Sequence, residues 1–125
     1  MQRNPTAIRL ITTAIGINMI LFGVSQVARP RGWSGYLPDK LDEALPLTRE
    51  QKLRVHGLGN LSLGLLFVNQ TRLKLTTPIV TAWWMFVAPL CGRKDWRAGA
   101  RDISVIGALL ALLTLLFAER DAKPR

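Results

Sequence analysis

The chain has a single cysteine, Cys91, and a single histidine, His56. One cysteine excludes an intramolecular disulfide and a Cys-x-x-Cys redox pair, and one of each excludes a zinc site of the ordinary Cys/His type. Acidic residues are few, eight against seventeen Lys and Arg. All eight fall in expected loops or at segment ends, so no intramembrane carboxylate is expected to carry protons. Gly57-x-Gly59 lacks the third glycine and the preceding strand of a phosphate-binding loop. No Ser/His/Asp set has workable spacing, so no catalytic residue is assigned, and no metal site is expected. Charge is itself missing from residues 10–28 and 75–92. A soluble four-helix bundle carries charge along one face of every helix, and these stretches do not.

What the sequence does have is long apolar runs. Residues 103–118, ISVIGALLALLTLLFA, are sixteen residues without charge or proline. At about 1.5 Å per residue the run is slightly short for a hydrocarbon core of about 30 Å, and flanking residues make up the difference. Three weaker apolar segments upstream then read as its partners. The expected fold is all-α, a single domain over residues 1–125. It is a four-transmembrane-helix bundle with helices at about 7–28, 49–69, 78–91 and 102–118. A short interfacial helix is expected in the first loop, where DKLDEAL lies between Pro38 and Pro46 and Leu37, Leu41 and Leu45 fall four apart. The net charge of +9 sits at segment ends, where it suits phospholipid headgroups; no element alternates basic with aromatic residues, so nucleic acid is not an expected partner.

Each segment carries its own signals. The first has Gly16 and Gly23 seven apart, hence on one helix face, where small residues allow a second helix to approach closely. Asn18 lies near its middle. The alternative, a cleaved signal peptide, is disfavoured because Gln26 would hold the −3 position before a cut at Ala28. The second segment opens with Thr48 and Gln51 in a capping box. It holds His56 and Asn60 one turn apart, with Gly57 and Gly64 beside them. A helix this polar belongs inside the bundle. In the third, Thr77-Pro78 reads as N-cap and first helical residue, Trp83-Trp84 sit mid-segment, and Pro89 kinks or ends the helix. In the fourth, Gly107 and Ala111 give a small-residue packing face. Seven Lys and Arg lie on the side of the termini and ten on the other side. The positive-inside tendency therefore leans towards the first and third loops facing the cytoplasm.

His56, Asn60 and Asn18, with Trp83 or Trp84, form the candidate ligand cluster, able to take a quinone head or another small polar ligand. The competing expectation is a helix-packing network near the headgroups.

The spacing Arg54-x-x-Gly57-x-x-Asn60-x-Ser62-x-Gly64-Leu65-Leu66, then Thr71-Arg72-Leu73, then Arg101-Asp102-Ile103 entering a leucine-rich last helix, resembles the DoxX-like family of small four-helix membrane proteins. Gly23 near the end of the first helix and the following Pro30, Trp33 and Leu37-Pro38 are similar too. The resemblance implies a bacterial inner-membrane protein with cytoplasmic termini, opposite to the charge count, and links some relatives to quinone-coupled sulfur oxidation or membrane redox complexes. A position that is often acidic in such proteins is Asn60 here. The expected function is an accessory or structural component of a membrane complex, with the lipid bilayer and another membrane or redox protein as partners and oligomers allowed. The alternatives are a quinone- or lipid-binding oxidoreductase subunit and a small transporter or channel.

Overall fold

The computed structural model describes residues 5–36, 39–91 and 96–118, which are helical apart from short turns. Among the described residues, five α-helices follow in order: α1 (Pro5–Ala28), α2 (Asp39–Ala44), α3 (Arg49–Val68), α4 (Leu73–Cys91) and α5 (Trp96–Phe117). A 3-10 segment, Pro30–Tyr36, follows α1. Two stretches, Pro5–Ala28 and Ala100–Phe117, are long and apolar enough to cross a membrane. α1 packs chiefly on α3 and α4 chiefly on α5, and the two pairs close into one bundle.

The α1/α3 contact follows from glycine. Ile8, Thr12, Ile15, Gly16, Met19, Gly23 and Gln26 form the buried stripe of α1; Leu53, Gly57, Asn60, Gly64 and Phe67 form that of α3. Both recur every three or four residues, so each makes one face. A Cβ on Gly16 would stand 2.8 Å from the carbonyl oxygen of Gly64, and one on Gly64 would stand 2.7 Å from that of Gly16. Gly23 and Gly57 are matched in the same way, at 2.6 and 2.8 Å. Two glycine pairs thus bring two antiparallel backbones into direct contact, as small residues do between membrane helices. The packing expected of Gly107 and Ala111 does not occur among the described residues: a Cβ on Gly107 meets nothing within 4 Å, and Ala111 is exposed. The buried face of α5 is instead Asp102, Leu109, Leu112 and Leu116.

Helix starts also differ from expectation. α4 begins at Leu73, five residues before Pro78, because its buried face of Leu73, Thr76, Thr77, Val80, Thr81 and Trp84 starts there. The Arg72 carbonyl accepts from the amides of both Leu75 and Thr76 at 2.9 Å. Pro78 therefore lies in the second turn, where it removes one intrahelical bond, and α4 continues through Pro89 to Cys91. α5 begins at Trp96, six residues before Asp102. That places Asp102 two turns into a helix, fully buried, rather than at a segment end.

α3 opens as expected, with Thr48 Oγ1 accepting from the Gln51 amide and Gln51 Oε1 accepting from the Thr48 amide. It closes in a Schellman arrangement: the Thr71 amide donates to the Leu66 carbonyl and the Gln70 amide to the Phe67 carbonyl. Glycine usually holds the left-handed position of this motif, but here it is Gln70, at φ 57°, and Arg72 follows at φ 43°. Left-handed backbone costs a non-glycine residue roughly 1–2 kcal/mol. Gln70 offsets the cost, because its amide donates to the Phe67 carbonyl at 3.0 Å and to Thr12 Oγ1 on α1.

The short helix in the first loop is α2, fastened to the start of α3. Asp42 accepts from Arg49 at 2.8 Å and from Lys52 at 2.5 Å, and Arg31 pairs with Glu50 at 2.8 Å. The hydrogen bond from Lys52 holds the Asp42 carboxyl below the usual carboxylate range, and Arg49 acts in the same direction.

The core runs through Ile8, Ile15, Met19, Phe67, Leu73, Val80, Trp84, Leu109, Leu112 and Leu116. The outside is equally apolar. Leu10 and Leu21 are 66% exposed, Phe86 64% and Ile103 71%, and Ile17, Val55, Leu58, Leu65, Leu75, Ile79, Met85 and Leu110 are exposed too. Thr12, Gln26, Asn60, Thr76, Thr77, Thr81 and Asp102 are buried.

Candidate functional site

The polar side chains converge at the end of the bundle where α1 finishes, α3 and α5 begin and α4 ends. Asn60 is the centre. Its Nδ2 donates to Gln26 Oε1 at 3.0 Å, and its Oδ1 accepts from Trp83 Nε1 at 3.0 Å. One amide thus ties α1, α3 and α4 together. His56, one turn before Asn60, stacks on the Trp83 indole with centroids 5.1 Å apart and planes 14° apart. The absence of a side chain at Gly59 makes this possible, since a Cβ there would stand 2.8 Å from the Trp83 ring.

An aromatic and cationic rim closes the cluster. Trp33, in the 3-10 segment, donates from Nε1 to Ser25 Oγ at 2.9 Å and meets Phe22 edge-on at 5.3 Å. Arg101 lies over the Phe22 ring, 4.4 Å from its centroid, and donates to Asp102 Oδ1 at 3.1–3.2 Å. Asp102 Oδ2 is buried without a hydrogen-bond partner among the described residues.

These groups surround a cavity lined by Phe22, Gln26, Trp33, His56, Asn60, Trp83, Trp84, Val87 and Arg101. Its free space is about 10 Å³, room for roughly one water molecule. Trp84 Nε1 is buried there without a partner among the described residues. A quinone head does not fit this space unless the rim side chains move.

Of the residues expected from sequence, His56, Asn60, Trp83 and Trp84 come together. Asn18 does not join them. It lies two turns before Gln26 on α1, and its Oδ1 is buried without a partner among the described residues. Gln26 takes the place expected of Asn18, and the sequence carries the signal for this. Gln26 continues the line of Gly16, Met19 and Gly23, whereas Asn18 falls off it. Trp33 and Arg101 had no local signal, because their positions depend on the turn after α1 and on the early start of α5.

Comparison of the chain with protein-family models, with curated proteins and with solved structures finds no match. The functional reading therefore rests on the chain's own geometry.

Proposed function

We propose that the chain is an integral membrane protein whose four long helices each cross the bilayer, and that it serves as a non-catalytic accessory component of a membrane complex. The observation that carries this is the apolar exterior. α1, α3 and α4 each expose four large apolar side chains and α5 exposes Ile103 and Leu110, while Gln26, Asn60 and Asp102 lie inside. Water-soluble monomers rarely expose contiguous apolar surface on this scale, and a lipid exterior removes the penalty. Helices of 19–24 residues measure about 28–36 Å, the thickness of a hydrocarbon core.

The accessory role is supported by how the polar cluster is used. Asn60 is bonded on both sides by neighbouring helices, so its hydrogen-bonding groups hold the bundle together. The outward face of α5 adds a place for a neighbour: Ala100, Ser104, Gly107 and Ala111 are small and exposed, the residue type on which a second membrane helix packs closely.

The test is fractionation of cells producing the tagged chain. It should sediment with membranes, resist alkaline carbonate, require detergent for release and carry a second polypeptide through gentle purification. A chain found in the soluble fraction would contradict the membrane reading, and one that always purifies alone would contradict the accessory role. A second reading, a quinone- or lipid-binding oxidoreductase subunit, is favoured by one observation, the unpaired Trp84 Nε1 at the cavity. It requires stoichiometric quinone in the purified protein and its loss in His56→Ala; absence of quinone ends it.

A further inference from the structure

The two ends of the bundle differ in how their charges are paired. The end that holds the polar cluster carries Asp39, Asp42, Glu43, Glu50 and Asp102, and four of its cations are paired: Arg31 with Glu50, Arg49 and Lys52 with Asp42, and Arg101 with Asp102. At the opposite end, where α1 starts and α3 turns into α4, the charged side chains among the described residues are Arg9, Arg72 and Lys74. All three are exposed, and no described carboxylate pairs with them.

These cations flank two open clefts that share one wall, Gln70. One cleft, of about 430 Å³, is lined by Gln70, Arg72, Leu73, Lys74 and Leu75. The other, of about 540 Å³, is lined by Pro5, Thr6, Ile8, Arg9 and Gln70. Clefts of ~300–1,000 Å³ are of the size that takes small ligands. The Gln70 side chain fixes the wall by bonding to Thr12 and to the Phe67 carbonyl. Arg72 is the telling residue. It sits in the left-handed region, and unlike Gln70 its side chain has no hydrogen bond or ion pair among the described residues to offset that strain. An exposed guanidinium without a described partner suits a phosphate oxygen pair. The chemistry beside it fits a lipid: exposed Leu10, Leu75 and Ile79 continue from the cations along α1 and α4, where acyl chains lie.

We propose that this end binds the phosphate headgroup of an anionic membrane lipid, with Arg72 and Lys74 on one side of Gln70 and Arg9 on the other. The site rests on the membrane reading given above. Its test is native mass spectrometry of the full chain released from detergent micelles, titrated with phosphatidylglycerol, phosphatidylcholine or inorganic phosphate. The wild type should retain phosphatidylglycerol in preference to phosphatidylcholine. In Arg9→Gln/Arg72→Gln/Lys74→Gln that preference should fall by roughly 100-fold, from about fivefold per cation at a membrane surface. The control Arg29→Gln/Arg54→Gln, at the other end, should keep it. Equal retention of the two lipids, an unchanged preference in the triple variant, or inorganic phosphate binding as tightly as phosphatidylglycerol would overturn the proposal. Circular dichroism of the triple variant separates loss of the site from loss of the fold. A chain that needs no detergent refutes the membrane reading itself, whereas a detergent-requiring chain without lipid preference refutes only this site.

Discussion

Asn60 is the residue whose replacement should be felt most widely, because its one amide satisfies a glutamine on α1 and an indole on α4. In Asn60→Leu, Gln26 Oε1 and Trp83 Nε1 both lose their partner in a buried setting, which costs about 1–3 kcal/mol for each group left unsatisfied. The expected outcome is a clear drop in melting temperature in detergent, together with a change in tryptophan emission as Trp83 loosens from His56. An unchanged melting point and spectrum would mean that the amide contributes little. Asp42 gives a prediction in pH. Its folded pKa lies below the ordinary value because of Lys52 and Arg49. Its contribution is therefore present at neutral pH, and it fades as the pH falls below the ordinary carboxylate value of about 3.9 and through the lower folded value. Protection from hydrogen exchange across residues 39–44, taken relative to the intrinsic rate at each pH, should fall in that acid range in the wild type, and Asp42→Asn should be poorly protected already at neutral pH. Equal exchange in both would remove the role given to the Lys52 contact. At this scale the sequence was partly legible. His56 and Asn60 share a face by spacing alone, and a mid-segment indole needs a polar partner. Asn18 lies near the segment's middle but off the three-and-four spacing of the buried stripe, which Gln26 continues. By sequence Asp102 stands as a terminal charge, because nothing local places the start of α5 six residues earlier.

The two glycine pairs hold α1 and α3 closer than any other residue type allows. Gly16→Ala, Gly23→Ala or Gly57→Ala puts a methyl group within 3 Å of a facing backbone carbonyl oxygen. The helices must separate along their length, as in an overpacked core, at about 1–3 kcal/mol per site. Gly107→Ala is the matched control. Its Cβ meets nothing within 4 Å, so alanine's better helix propensity should leave the isolated chain unchanged or up to about 1 kcal/mol more stable. Thermal melts of the single variants in one detergent check the contrast, and equal losses at Gly57 and Gly107 would contradict it. Glycines seven apart on two segments announce a close helix contact, but they do not name the partner. Gly107 and Ala111, four apart, also make a small-residue face, yet they point outward, since burial on α5 is decided by the leucines opposite them. The start of α4 shows a related limit. Thr77-Pro78 is a sound local start signal, and the burial of Leu73 against the rest of the bundle extends the helix five residues past it.

For the whole molecule the central claim is that four helices, two of them modest in hydrophobicity, all lie in the bilayer. Helical class and the short α2 were readable from periodicity and proline spacing. The proposed membrane placement of α3 and α4 rests on which faces the fold turns outward. Ile17, Leu58, Met85 and Leu110 are exposed near the middle of α1, α3, α4 and α5 respectively. The decisive measurement is maleimide labelling of single cysteines at these four positions in intact membranes, on a Cys91→Ser background, with a cysteine at Leu47 in the first loop as the accessible reference. The account predicts that a membrane-impermeant, water-soluble maleimide leaves all four unlabelled until detergent or denaturant is added, and that Leu47→Cys reacts once its side of the membrane is opened. Ready labelling at Leu58 or Met85 in sealed or opened membranes would show α3 or α4 in water and would contradict the four-span bundle.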